Sequence, residues 1–204
     1  VGVMRAGFHL AAGMTVGLFG GSFNPAHAGH AHVVETARQR LGLGAVIWLV
    51  SPQNPLKSSA ETAPLSQRMA SVRRFARAGD IVSDFETRAG TAYTIDTLKA
   101  LTQRFPQTHF VWIMGGDSLA GFHRWRDWQA IARLMPMVIV ARPQQAMKSL
   151  YAPAAARLRP YRRPEAEARG LSRLAPPAWI YLKAPLHPAS STAIRAQKGK
   201  NFGI

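Results

Sequence analysis

Two stretches of the chain carry residue types that could handle phosphate. The first is Gly20-Gly21-Ser22-Phe23-Asn24-Pro25-Ala26-His27-Ala28-Gly29-His30, two glycines after a short apolar run and two histidines three positions apart. Lacking a Cβ, Gly20 and Gly21 would let the backbone approach a ligand closely. The N–H groups of this loop and of the helix that follows would face an anion. His27 and His30, at a helix start, are spaced to point into one pocket. There, two imidazoles can donate hydrogen bonds to a phosphate whose charge rises in the transition state. The string has neither the Gly-Lys-Ser/Thr ending of a P-loop nor the GxGxxG of a dinucleotide fold. The second stretch is Ser190-Ser191-Thr192-Ala193-Ile194-Arg195. Small hydroxyl residues opening a helix offer side-chain O–H and backbone N–H groups to phosphate, and Arg195 adds a bidentate fork one turn later. Each stretch has a plainer reading: a turn with two surface histidines, and an ordinary N-cap.

Such residues need a frame, and the hydrophobic pattern supplies one. From Met14 onward, strand and helix signals alternate. Strands are expected at Thr15–Phe19, Ala45–Val50, Ile81–Phe85, Phe110–Met114, Met137–Ala141 and Trp179–Leu182. Between them the spacing predicts helices over 29–41, 65–78, 94–105 and 125–134, then a short one over 190–197. This rhythm argues for an α/β fold, a Rossmann-like, doubly wound parallel sheet with helices on both faces and ligands at the carboxyl ends of its strands. Residues 1–204 read as a single domain. Within it, 1–13 form an N-terminal extension and 190–204 a short helix and tail. Residues 144–177, studded with proline, form an irregular basic insert expected to present a solvated face.

Composition removes several kinds of chemistry. There is no cysteine, hence no disulfide scaffold, thiolate zinc site, iron–sulfur cluster or Cys nucleophile, and a reducing, cytoplasmic setting is the default. No apolar run approaches the roughly 18 residues at which a membrane span is read. Arg5 and the apolar stretch after it could suggest a signal peptide, but that run leads straight into the Gly20–His30 string. Charge is the oddity: 26 Lys and Arg against 10 Asp and Glu, a net +16. Residues 142–173 hold eight basic residues against two Glu. Such an excess asks for an anionic partner: nucleic acid, a membrane surface or phosphorylated small molecules.

The eleven-residue Gly20–His30 string resembles the H-x-G-H signature of the nucleotidyltransferase superfamily. The closing string is similar to that superfamily's I-S-S-T-x-I-R motif, with Ala189 where isoleucine is usual. Pro52-Gln53-Asn54-Pro55-Leu56-Lys57 looks like its P-x-x-P-x-K loop. Two more strings narrow the resemblance to bacterial nicotinate-nucleotide adenylyltransferases. They are Tyr93-Thr94-Ile95-Asp96-Thr97-Leu98, and Gly115-Gly116-Asp117-Ser118-Leu119 with Phe122-His123-Arg124-Trp125. Val140-Ala141-Arg142-Pro143 adds a further match, and the order and spacing of all these strings fit.

The resemblance implies adenylyl transfer from ATP to nicotinate mononucleotide, giving nicotinate adenine dinucleotide and pyrophosphate. His27, His30, Lys57 and Arg195 would then act on the reacting phosphates. Gly20, Gly21, Ser22, Phe23, Gly115, Asp117, Arg142, Ser191 and Thr192 would complete the ATP site. Ser22, Phe23, Lys57, Tyr93, Thr94, Trp125 and Arg126 would take the mononucleotide, with Trp125 stacked on the pyridine ring. Mg2+ would arrive with ATP, since no carboxylate cluster that could hold it alone is visible. Trp48, Trp112, Trp128 and Trp179 match no motif and read as packing residues. Two rival readings remain. One is a sister transferase acting on another phosphorylated acceptor, nicotinamide mononucleotide or phosphopantetheine, and an enzyme for phosphopantetheine would not need the Tyr93 and Trp125 strings. The other is a basic nucleic-acid-binding module, for which no recognised motif stands.

Overall fold

The computed structural model describes residues 7–52, 62–141 and 148–184. Its centre is a seven-stranded sheet in the order β3-β2-β1-β4-β5-β7-β6, and every pairing is parallel. The strands are β1 (Thr15–Gly21), β2 (Ala45–Val50), β3 (Ile81–Ser83), β4 (His109–Gly115), β5 (Met137–Ala141), β6 (Arg162–Arg163) and β7 (Trp179–Lys183). β1 lies between β2 and β4, so the chain winds outward on one side and then restarts on the other. That reversal opens a crevice at the carboxyl ends of β1 and β4, where ligands of such sheets bind.

The central strands are apolar without alternation because both faces are covered. Alternate residues feed two cores. On one face Val16, Leu18, Trp112, Met114 and Ile139 pack with Ile95, Leu98 and Leu101 of α4 (Thr94–Arg104) and Ile131 of α6 (Trp128–Leu134). Phe85 of α3 (Phe85–Ala89) and Leu119 of α5 (Gly116–Gly121) join them. On the other, Phe19, Trp48, Val111, Val138 and Ile180 pack with Val34, Ala37 and Leu41 of α1 (Ala28–Leu41) and Val72 of α2 (Leu65–Arg73). Trp48, Trp112 and Trp179 are buried packing residues, and Trp128 is packed at the edge of the first core. Among the described residues no helix is long and apolar enough to cross a membrane.

Several expectations need correction. β1 extends through Gly20 and Gly21, which belong to the strand and not to a loop. A Cβ on Gly20 would lie 2.5 Å from Cη2 of Trp112, and one on Gly21 would lie 3.1 Å from the Phe23 ring. These glycines therefore make room for aromatic rings of the protein itself. Phe85 begins a helix and does not continue β3, α2 stops at Arg73, and Phe122–Arg124 form a 3-10 turn before α6 begins at Trp128.

The largest correction concerns the basic insert. Its described residues include α7 (Pro153–Leu158), a 3-10 turn over Arg159–Tyr161, the edge strand β6 and a long 3-10 segment over Glu165–Arg173. Ala154, Ala155 and Leu158 join the first core, while Ala168 and Leu171 join the second. The segment thus wraps the β7 side of the sheet from one face to the other. Its prolines misled because Pro153 and Pro160 sit in first helical turns, where a missing N–H costs nothing. Its arginines do remain outside: Arg157, Arg159, Arg162 and Arg163 are exposed. The expected helix over 190–197 and tail lie outside the described residues.

Candidate active site

Four of the motif strings begin at or just after the carboxyl ends of β1, β2, β4 and β5. After β1 the chain turns sharply. Phe23 has φ +45°, a left-handed conformation unusual for a residue with a side chain. Its ring is buried, packing edge-on to His30 at 5.1 Å and tilted against Phe19 and Trp48 at 5.5 Å each. The side chain of Phe23 is thus structural, and its backbone is what the loop can present.

His27 and His30 form a reciprocal capping pair on α1. Nδ1 of His27, the N-cap residue, accepts from the backbone N–H of Gly29 at 3.1 Å. Nδ1 of His30 accepts from the backbone N–H of His27 at 3.2 Å. This is the logic of a capping box with imidazoles in place of hydroxyl and carboxylate. The rings lie 3.8 Å apart between centroids, inclined by 32°. An imidazole whose Nδ1 accepts carries its proton on Nε2 when neutral, so the caps make both rings Nε2–H donors. A ring nitrogen that donates cannot ligate a metal. Among the described residues no three His, Asp or Glu side chains converge as a metal site.

Behind the loop stands a group that sequence reasoning missed. Arg68 of α2 is 1% exposed, and its guanidinium reaches the backbone carbonyls of Ser22, Ser51, Pro52 and Ala63. Burial pushes its pKa below the usual arginine value. It remains a cation at neutral pH. One signal pointed to it: Leu65, Met69 and Val72 form the apolar stripe of α2, and Arg68 falls inside that stripe.

Across the crevice, Gly115 ends β4 and caps α5. A Cβ there would lie 2.5 Å from Oδ1 of Asp117, whose carboxylate folds back over the turn and stays exposed. Tyr93 caps α4 and Thr94 opens it. The guanidinium of Arg126 lies 4.5 Å over the Tyr93 ring. The structure therefore joins the Tyr93 and Trp125 strings, which are some thirty positions apart in the chain. Trp125 is half-buried, with its ring edge-on to Phe122 at 5.4 Å and to Trp112 at 6.3 Å.

Beneath the Tyr93 loop lies a second missed group, Glu86 of α3. It hydrogen-bonds Thr97, whose Oγ1 is 2.8 Å from that of Thr91. Desolvation raises the Glu86 pKa to about 7, and the Thr97 bond works against that rise. Lys57, Arg142, Ser191, Thr192 and Arg195 lie outside the described residues.

The family model described as cytidylyltransferase-like matches residues 18–197. A curated relative from Caulobacter sp. (strain K31), named "Probable nicotinate-nucleotide adenylyltransferase", is 60% identical over 92% of this chain and 100% of its own length. One of the same name from Roseobacter denitrificans is 46% identical over 96% of this chain and 99% of its own. Among solved structures, the Plasmodium falciparum nicotinic acid mononucleotide adenylyltransferase complexed with NaAD superposes with a TM-score of 0.64 at 14% identity. That match covers 90% of this chain and 83% of the other. It shows the shared fold.

Proposed function

The chain belongs to the cytidylyltransferase-like family, among its nicotinate-nucleotide adenylyltransferases, and from that premise we propose how its residues carry the reaction. The enzyme transfers the adenylyl group of ATP to nicotinate mononucleotide, a step of NAD biosynthesis that releases pyrophosphate. A phosphate oxygen of the mononucleotide attacks the α-phosphorus in line, and the bond from that phosphorus to the bridging oxygen of the leaving pyrophosphate breaks. The attacking group is already an anion, so no general base is needed. Catalysis then rests on alignment and on donors aimed at developing charge.

The observation that carries this reading is the His27–His30 capping pair at the mouth of the β1–β4 crevice. It fixes two Nε2–H donors beside the N-terminus of a 14-residue helix. Both donors serve the ATP phosphates. Lys57 and Arg195 gather charge on the reacting and leaving groups, while Ser191, Thr192 and Arg142 hold the remaining phosphates. Gly20 and Gly21 at the end of β1, with Ser22 and Phe23 in the turn after it, contribute backbone groups, and Asp117 with Gly115 faces the adenosine. The mononucleotide enters beside Tyr93, with Trp125 stacking on its pyridine ring. Thr94 and the backbone at Arg126 bind its carboxylate, and the Arg126 cation over Tyr93 favours that charge. ATP comes as its Mg2+ complex, the metal travelling with the substrate.

The test is product chromatography after incubation with ATP, Mg2+ and, in separate vessels, nicotinate mononucleotide, nicotinamide mononucleotide and phosphopantetheine. Nicotinate adenine dinucleotide and pyrophosphate should form in equal amounts and fastest with the first acceptor. Adenylylation of phosphopantetheine as the main reaction would overturn the assignment.

A further inference from the structure

We propose that Arg68 is a positioning residue for adenylyl transfer: its guanidinium ties the turn after β1 to the exit of β2 and so fixes the backbone that this turn presents to phosphate. This rests on the adenylyl-transfer reading above. A buried guanidinium costs heavily unless its donors are met, and a buried arginine is ordinarily paired with a carboxylate. Among the described residues no carboxylate pairs with Arg68. Nε donates to the carbonyl of Ala63 at 2.8 Å, and Nη1 to those of Ser22 at 2.8 Å and Ser51 at 2.7 Å. Nη2 donates to the carbonyl of Pro52 at 2.6 Å. The acceptors come from three segments: the turn after β1, the exit of β2 and the entrance of α2.

The consequence follows from peptide geometry. Across a trans peptide the C=O and the next N–H point in opposite directions. Holding the Ser22 carbonyl inward therefore turns the N–H of Phe23 away from Arg68. A residue such as Phe23, at φ +45°, stays in the left-handed region only where its surroundings over-determine it. The Arg68 fork supplies part of that constraint, and the packed Phe23 ring the rest. The same stretch of chain ties the loop down twice more. Ser71 Oγ accepts from the N–H of Ala26 at 3.0 Å and donates to the Arg68 carbonyl at 2.7 Å. The N–H of Ala63 donates to Oδ1 of Asn24 at 3.1 Å. Residues 22–26 are thus moored to α2 and its entrance, and Pro52 begins the string that leads to Lys57.

The test compares Arg68→Lys, Arg68→Met and Ser71→Ala with wild type, using steady-state kinetics and peptide-resolved hydrogen exchange on folded protein. Arg68→Lys keeps the charge but cannot span four carbonyls. Its kcat should fall about 10²-fold, the scale of a 1 Å misplacement, with KM for either substrate changing far less. Amides over 20–26 should exchange faster, and Arg68→Met should be no better. A kcat for Arg68→Lys within threefold of wild type, even with a lowered Tm, would reduce Arg68 to packing and overturn the proposal. Recovery by Lys of activity that Met loses would assign the effect to charge and overturn it as well. Should neither Arg68 variant fold, Ser71→Ala decides: losing one tie should lower kcat roughly fivefold. An unchanged kcat there overturns the mooring. If wild type makes no nicotinate adenine dinucleotide in the same assay, the adenylyl-transfer reading falls, and hydrogen exchange still reports on the lock.

Discussion

The turn after β1 and the basic segment before β7 both hold groups that attract anions, yet they deploy them in opposite ways. Around the turn, among the described residues, Arg68 is buried and bound to carbonyls, while His27 and His30 cap the start of α1 through their Nδ1 atoms. In the segment, the arginines stand in water. Arg163 pairs with Glu167 at 2.8 Å, and Arg162 lies over Trp179 and Tyr181 at 5.6 and 5.4 Å. Exposed charges more than a Debye length of about 8 Å from a phosphate are largely screened, and exposed ion pairs are worth about 1 kcal/mol or less. A net charge of +16 therefore says little about where the chemistry lies. Donors fixed in contact with a phosphate do more than many mobile cations outside it.

The sharpest break in this contrast is His30→Ala. Removing one transition-state donor should lower kcat by roughly 10²–10³, measured at saturating substrates, with the fold intact by circular dichroism. Retention of more than half the wild-type kcat would mean that the capping pair only starts a helix.

Glu86 tests burial from the acidic side. Its pKa is raised from 4.5 to about 7, so between those values the folded protein binds more protons than the unfolded chain. Stability should then fall as pH rises through this window, with a loss of up to about 3 kcal/mol complete above pH 7. Glu86→Gln should lack that slope and exceed wild type in Tm above pH 7. Parallel Tm profiles for the two proteins would show that Glu86 is not desolvated.

Trp125→Ala probes the mononucleotide side of the crevice. Lost stacking and area of about 1–3 kcal/mol should raise KM for the mononucleotide roughly ten- to a hundredfold, and KM for ATP far less. Equal damage to both would make Trp125 a core residue. The smallest effect belongs to the outer arginines. Replacing Arg157, Arg159, Arg162 and Arg163 together by Gln should leave kcat/KM within about threefold at moderate salt. A larger loss would bring the segment into the active site.

Legibility in the sequence followed burial. Strands such as Ala45–Val50 and Met137–Ala141 were readable because a two-sided core demands unbroken apolar runs. The histidines, Tyr93 and Trp125 were readable because their types and order match a family. The segment before β7 was not, because its buried contacts come from small Ala154, Ala155 and Ala168 among prolines that open helical turns. Arg68 was hidden for another reason. Arginine on a helix reads as solvent-facing, and only its place in the stripe of Leu65, Met69 and Val72 says otherwise. Gly20 and Gly21 suited a ligand-binding loop equally well, and only the Trp112 and Phe23 rings reveal what fills the space beside them.

The most direct test of the central claim is the single-turnover rate of nicotinate adenine dinucleotide formation, with ATP and mononucleotide saturating, followed across a salt series. Preorganised donors in contact with the phosphates predict a rate constant within about twofold from roughly 0.05 M to 0.5 M salt, because groups in contact lie well inside a Debye length. A fall of about tenfold over that range would contradict the account, since only exposed charge is screened so strongly.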